Sequence, residues 1–188
     1  MRDNLQKVRN ECFVDPHIPV IWIAKLQESP LGELWAATTA SGLIALDLWE
    51  DEDRFRGLVQ KHKRGRLLYE PERLDDVLGQ VVGYLEGSRQ NFDITIDWSV
   101  MSPFQREVLQ RVYEIPFGKT STYGDIAASL GKPGAMRAVG RANATNPIPI
   151  VIPCHRVLGA DGRLHGYSAP GGLETKAWLL RREGSWLI

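Results

Sequence analysis

Cysteine is nearly missing from this chain: Cys12 and Cys154 are the only two among 188 residues. Two thiols do not build a disulfide framework, so an apolar core in a reducing, intracellular setting is expected, with Cys154 a free thiol. Long hydrophobic runs are missing too. No segment approaches the roughly 20 apolar residues that cross a bilayer. The opening MRDNLQKVRNECFVDPH lacks the apolar stretch of a secretory signal, and no membrane partner is expected. Repeats and low-complexity tracts are absent. Net charge is absent as well, with 23 Lys/Arg against 23 Asp/Glu. That balance hides an asymmetry: residues 100–188 carry 11 basic and 6 acidic side chains, a net +5, and residues 1–99 the complementary −5. A basic C-terminal half suits a polyanion such as nucleic acid, although an excess of this size is also ordinary scatter.

What is present, 43% hydrophobic and 24% charged residues, is a globular composition for one large domain or two small ones. The first half reads as mixed α and β. SPLGELWAATTASGLIALDLW (29–49) alternates around Gly-containing breaks, as a hairpin does, with Trp35, Leu43, Ala45 and Leu48 inward. PERLDDVLGQVVGYLEG (71–87) repeats Leu74, Val77, Leu78, Val81, Val82 and Leu85 at helical spacing, and QNFDITIDWSV (90–100) alternates with Phe92, Ile94 and Ile96 on one side. KHKRGR (61–66) reads as a solubilising loop. The second half reads as helical. Ser102-Pro103 opens a helix with Phe104, Val108, Leu109 and Val112 buried, ending before Gly118. STYGDIAASLG (121–131), capped by Thr122, and residues 134–144 form two short helices about a Gly-containing turn, the pattern of a helix-turn-helix. LETKAWLLRREG (173–184) closes the chain as a helix with Leu173, Ala177 and Leu180 inward.

The stretch NPIPIVIPCHRVLGADG (146–162) does not read as plain core. Most free cysteines are small buried hydrophobes. Here Pro147, Pro149 and Pro153 fix the backbone around Ile150–Ile152, His155 and Arg156 follow Cys154 at once, and GADG turns the chain back towards Gly166-Tyr167-Ser168. That pattern builds a pocket. A nucleophilic thiol needs a base and a group to orient the base. Neighbours on an extended segment point to opposite sides, so His155 would reach the sulfur through a water rather than directly. Glu183 is a candidate orienting group that spacing alone does not single out among 23 acidic residues.

IPCHRV (152–157), with RAVGRANATNPIPIV (137–151), FGKTSTYGDIAASLG (117–131), FQREVLQRVYEIPFG (104–118) and SPLGEL (29–34), closely resembles the O6-alkylguanine-DNA alkyltransferase family over roughly residues 20–186. The resemblance implies a small antiparallel sheet plus helices in an RNase H-like α/β N-terminal domain (21–99), after an extension at 1–20. It implies a mainly α C-terminal domain (100–188) with a winged helix-turn-helix. The implied activity is direct-reversal DNA repair. O6-alkylguanine, or O4-alkylthymine, is flipped from duplex DNA and its alkyl group passes irreversibly to Cys154 in a single-turnover reaction. By resemblance His155 takes the thiol proton through a water and Glu183 polarises His155. Tyr123 donates near guanine N3, the Ser168 backbone donates near O6, and Asn146 braces the active-site turn. The carbonyls of Cys154 and Val157 accept from the exocyclic amine. Arg137 fills the gap left by the flipped base, where extrusion costs a few kcal/mol. Tyr167, Pro149, Ala138 and Gly140 complete the substrate- and DNA-binding set.

Some positions depart from the family pattern. Met136 stands where a small residue often precedes the arginine, and Ala169 and Pro170 lengthen the segment between Tyr167 and Lys176. Cys12 and His17 are similar to half of a zinc site found in some members, but two ligands do not define a tetrahedral site. Neither metal nor cofactor is expected. The expected partner is double-stranded DNA, bound in the minor groove by a monomer that can act cooperatively. The expected location is the cytoplasm and nucleoid of a prokaryote, or the nucleus of a eukaryote. A lesion-sensing DNA-binding protein without transfer is the alternative, disfavoured because such relatives typically replace the cysteine. A transcription regulator is a third reading, for which the PCHR segment would have no purpose.

Overall fold

The structure, a computed structural model, describes residues 18–48 and 51–185; Cys12 and His17 lie outside them. Three strands, β1 (Val20–Leu26), β2 (Leu34–Thr39) and β3 (Gly42–Asp47), form an antiparallel meander. A fourth, β4 (Arg66–Tyr69), joins β1 in parallel, so the small sheet is mixed, in the order β3-β2-β1-β4. A parallel pair needs a crossover, and α1 (Glu52–His62) lies between β3 and β4 in the chain. Asp51 caps α1 by accepting from the Arg54 N–H, and Glu52 and Asp53 begin it while Lys61 and His62 end it, as the helix dipole favours.

Alternation along the strands gives two buried faces. Ile21, Ile23, Trp35 and Ile44 pack under Phe55 and Val59 of α1, with Trp35 and Phe55 stacked at 5.5 Å. Ala24, Leu34, Ala36, Leu43 and Leu46 face the main core. There they meet α2 (Asp75–Glu86), and the same core continues without a break into the second half of the chain. At Gly87, which ends α2 at φ +93, a Cβ would collide with the Arg182 guanidinium, whose Nε donates to the Leu85 carbonyl at 3.1 Å.

Two readings of the first half need correction. Residues 90–100 are not a strand. They run irregularly along the edge strand β3, join it through one bridge from Leu43 to Ile96, and end in a 3₁₀ turn at Trp98–Val100. The basic loop shrinks to residues 63–65, and Lys63 is paired with Asp97 at 2.7 Å, so it has a structural task.

The second half is helical as expected. α3 (Pro103–Tyr113) starts at Ser102, whose side chain accepts from the Gln105 N–H, and buries Val108, Leu109 and Val112. β5 (Ser121–Thr122) leads into α4 (Tyr123–Ser129), fixed by a capping box between Thr122 and Asp125. A turn through Gly131 and a 3₁₀ segment, Pro133–Ala135, carries the chain to α5 (Met136–Ala144). β6 (Val157–Leu158) pairs in parallel with β5 and sets the cysteine segment beside the start of α4. α6 (Leu173–Arg182) closes the fold. Its inward residues are Lys176, Leu179 and Leu180, with Glu183 just beyond; Leu173 is 45% exposed, contrary to expectation. Among the described residues no helix is long and apolar enough to cross a membrane.

Candidate active site

The segment from Asn146 to Pro153 is a tight turn rather than the buried strand its apolar run implies, held by a bridge between Pro149 and Ile152. Ile150 sits at φ 73, the only positive φ outside glycine among the described residues. A β-branched side chain is strained in that left-handed region and persists only where its surroundings hold it. Asn146 supplies the hold. Its Nδ2 donates to the Ile152 carbonyl at 2.9 Å, and its Oδ1 accepts from the Ile148 N–H at 3.0 Å. The Leu46 N–H of β3 adds a hydrogen bond to the Pro147 carbonyl at 2.9 Å.

This turn delivers Cys154 as the first residue of a 3₁₀ turn, Cys154–Arg156. Successive side chains there diverge by about a third of a turn, so Cys154 and His155 separate without an extended backbone. Cys154 lines a cavity of about 440 Å³, whereas His155 is fully buried on the other side against Glu183.

Four groups converge on the buried Glu183 carboxylate. His155 Nε2 lies 2.8 Å from Oε1, and the Arg156 guanidinium donates through Nε and Nη2 at 2.9–3.1 Å. The Gly118 N–H donates to Oε2 at 3.1 Å, and the Tyr84 hydroxyl of α2 donates to Oε1. Burial alone would raise the carboxyl pKa, but the bonds from His155, Arg156 and Tyr84 outweigh it and hold the pKa at about 2. Glu183 is therefore an anion at neutral pH. An anionic acceptor fixes the tautomer of the ring beside it, so the His155 proton sits on Nε2. Burial lowers the His155 pKa against the opposing pull of Glu183, which leaves the ring neutral. Nδ1 then carries a lone pair, and it has no hydrogen-bond partner among the described residues.

Burial also raises the pKa of Cys154, although the Asn146 amide, the Lys176 ammonium and the Tyr167 hydroxyl each favour its thiolate. The resting state is a thiol that must lose a proton to react. Lys176 is wholly buried, with Nζ donating to the Val157 carbonyl at 2.6 Å and the His165 carbonyl at 3.2 Å, and burial lowers its pKa to about 8.

Tyr123, Gly140, Asn143, Tyr167 and Ser168 line the cavity with Cys154. The Tyr123 hydroxyl donates to the His165 carbonyl at 3.4 Å, and burial raises its pKa, so it stays a donor. Ser168 Oγ donates to the Ala144 carbonyl at 2.7 Å. A Cβ on Gly140 would only touch the Tyr123 ring at 3.9 Å, so the glycine widens the cavity rather than permitting helix packing. The expected set is not all gathered here. Met136, Arg137 and Ala138 are exposed on the first turn of α5, and Pro149 belongs to the turn behind the cysteine. Arg137 makes no hydrogen bond or ion pair among the described residues. A wider groove of about 630 Å³ between Pro30-Leu31 and Trp178 is lined by neither a cysteine nor a histidine, whereas the smaller cavity holds the Cys154 thiol.

Four residues of the site escape the sequence reading. Tyr84 sits at helical spacing with Val81 and Leu85, and a tyrosine buried on such a stripe needs a partner for its hydroxyl. Arg156, Lys176 and Asn143 are also 5%, 0% and 6% exposed, and nothing in the local pattern marks them as interior. Asn143 Nδ2 donates to the Cys154 carbonyl at 3.1 Å, and the Val157 N–H donates to the same carbonyl. Asn143 Oδ1 is buried without a partner. Among the described residues there is no cluster of metal-ligating side chains.

Residues 103–185 match the family model described as 6-O-methylguanine DNA methyltransferase, DNA binding domain, and residues 23–98 match its ribonuclease-like domain. The chain is 42% identical over 167 residues to the methylated-DNA--protein-cysteine methyltransferase of Salmonella typhimurium, covering 85% of this chain and 94% of that one. Identity to the protein of the same description from Methanosarcina barkeri is 40%, over 83% and 93% of the two chains. Among solved structures, Mycobacterium tuberculosis OGT in complex with DNA superposes with a TM-score of 0.72 at 34% identity, covering 88% and 94%.

Proposed function

The chain belongs to the 6-O-methylguanine DNA methyltransferase family, and on that premise we propose that it repairs DNA by transferring the alkyl group of O6-alkylguanine to Cys154 Sγ. The observation that carries this reading is the placement of the Cys154 thiol in a cavity wall, with a neutral His155 held behind it by an anionic Glu183. The thiol proton passes through a water to the His155 Nδ1 lone pair. The sulfur attacks the alkyl carbon, the S–C bond forms, and the C–O6 bond breaks. The electron pair stays with guanine, which takes up one proton, so a thiol and an O6-alkylguanine become a thioether and guanine. Tyr123, a donor at neutral pH on the cavity wall, hydrogen-bonds N3 of the leaving base in this reading, and the Ser168 backbone N–H serves O6. The Val157 carbonyl accepts from the 2-amino group beside its bond from Lys176. No group in the cavity can hydrolyse a thioether, so each molecule acts once.

The lesion is too deep in a duplex to reach Cys154 and is flipped out. Arg137, exposed and unpaired on α5, enters the vacated space while Ala138 and Met136 lie against the minor groove. In this reading residues 21–99 form the ribonuclease-like domain and 100–188 the DNA-binding and transfer domain, acting as a monomer on the DNA of the cytoplasm. Incubation with duplex DNA containing O6-methylguanine, followed by mass spectrometry, tests the proposal. The protein should gain one methyl group, mapped to Cys154, and repair should plateau at one equivalent. Lesion binding with no gain in mass would leave only a lesion sensor.

A further inference from the structure

Resting on that transfer reading, we propose that Tyr84 is a positioning residue of the proton relay: by donating to Glu183 Oε1 it keeps His155 an unprotonated base. Tyr84 lies on α2, within the ribonuclease-like match, whereas Cys154, His155 and Glu183 lie within the DNA-binding match. Its side chain is fully buried, with the ring held by Phe92 at 5.2 Å and by the edge of Phe117 at 6.2 Å. The hydroxyl meets two groups of the relay. It donates to Glu183 Oε1, and its oxygen stands 3.2 Å from His155 Nε2. Burial and the neighbouring anion hold the phenol pKa well above its ordinary 10, so the donor proton stays in place while the relay works.

A histidine takes the thiol proton only while its own Nδ1 is free of one. An imidazole beside a carboxylate is drawn towards its charged form, in which it is no longer a base. Here His155 Nε2 is 2.8 Å from Oε1, and the Tyr84 hydroxyl and Arg156 Nη2 donate to that same oxygen. An oxygen that already takes two donors is a poorer acceptor for a third, so the imidazolium gains less from it. The other charges near the ring are Arg156 in the 3₁₀ turn and Lys176 on α6, and both oppose its protonation, as burial does. On the cavity side Cys154 and Tyr167 are neutral, since burial raises the pKa of each. Gly118 adds only a backbone N–H to Oε2. Arg156 needs Glu183 to neutralise it, whereas a hydroxyl weakens the acceptor without adding charge. The Tyr84 oxygen also accepts from Nε2–H. That bond, 3.2 Å to a neutral atom, is weaker than one of 2.8 Å to an anion, so donation by Tyr84 outweighs it.

The test is the pH dependence of single-turnover transfer from a duplex oligonucleotide containing O6-methylguanine, in saturating excess. The amplitude then counts folded protein, and the rate constant reports the relay. In wild type the acid limb of the rate constant should have its midpoint below 6.5, the ordinary histidine value. Tyr84→Phe should raise that midpoint by about half to one pH unit, which is about a three- to tenfold gain in proton affinity. Placing 3-fluorotyrosine at position 84 keeps nearly the same shape with a stronger donor, and should lower the midpoint. It carries the test alone if the phenylalanine variant fails to fold. A hydroxyl that serves only to pair within the core would change the amplitude or Tm and leave both midpoints in place. Midpoints that do not move, or that move in the opposite sense, overturn the assignment. Wild-type protein that gains no methyl group on Cys154 overturns the transfer reading itself, which its mass distinguishes.

Discussion

Replacing Glu183 by glutamine should unfold the protein more readily than it slows the chemistry. The carboxylate was expected only to orient His155, but it also neutralises the buried Arg156 guanidinium at 2.9–3.1 Å. Glutamine keeps the size and an acceptor for His155 Nε2–H, so the ring keeps its tautomer. What it removes is the charge, leaving Arg156 buried with the Ile115 carbonyl as its remaining acceptor. Stranding one member of a buried ion pair costs about 3–5 kcal/mol. A carboxyl pKa lowered from 4.5 to about 2 gives a similar scale, about 3 kcal/mol at neutral pH. For a chain of this size each kcal/mol moves Tm by about 2–4 °C, so Glu183→Gln should melt roughly 6–20 °C below wild type. Adding Arg156→Leu should recover part of that loss, because the stranded charge goes with it. The pH dependence has a definite sign. The Glu183 contribution is fully present above pH 4.5 and is lost as pH falls towards 2. The buried neutral His155 begins the decline earlier, since the unfolded chain takes up its proton near 6.5. Thermal melts of wild type, the two single variants and the double variant at neutral pH decide the matter. A Glu183→Gln variant melting within about 2 °C of wild type, or a double variant showing the full sum of two single losses, refutes the ion-pair reasoning.

Two further perturbations probe the site. His155→Ala should slow transfer with its rate rising tenfold per pH unit; because burial raises the Cys154 pKa above its ordinary 9.0, the rise should continue past pH 9 rather than level off near the value of a free thiol. A flat pH profile in that variant would mean that proton removal does not limit the reaction. Arg137→Ala should slow transfer from duplex DNA by about ten- to a hundredfold while a flexible single strand reacts nearly as fast as with wild type, because only the duplex needs the flipped-out state. Equal slowing on both substrates would remove the flipping role.

Periodicity found the elements whose buried stripe is long. Val108, Leu109 and Val112 on α3 and Leu74, Leu78, Val81 and Leu85 on α2 repeat often enough to be read directly. It missed α1, which buries only Phe55 and Val59 and presents charge elsewhere, and it mistook residues 90–100 for a strand because Phe92, Ile94 and Ile96 alternate without a ladder to join. In the site, adjacency made Cys154 and His155 visible, and Glu183 entered through the family resemblance. Tyr84, Asn143, Arg156 and Lys176 stayed hidden because each is a polar side chain whose burial depends on a partner far along the chain. Tyr84 and Glu183 are 99 positions apart. No local window holds that information.

The hydroxyl of Tyr84 reaches from α2 to a carboxylate at the end of α6, the same carboxylate that fixes the His155 tautomer. Its consequence concerns inheritance. The ribonuclease-like half contributes more than a platform, because it brings a proton donor that has no use without the other half, and the other half carries an anion tuned to receive it. Recombination between relatives at the junction near residue 100 would have to carry both partners or neither.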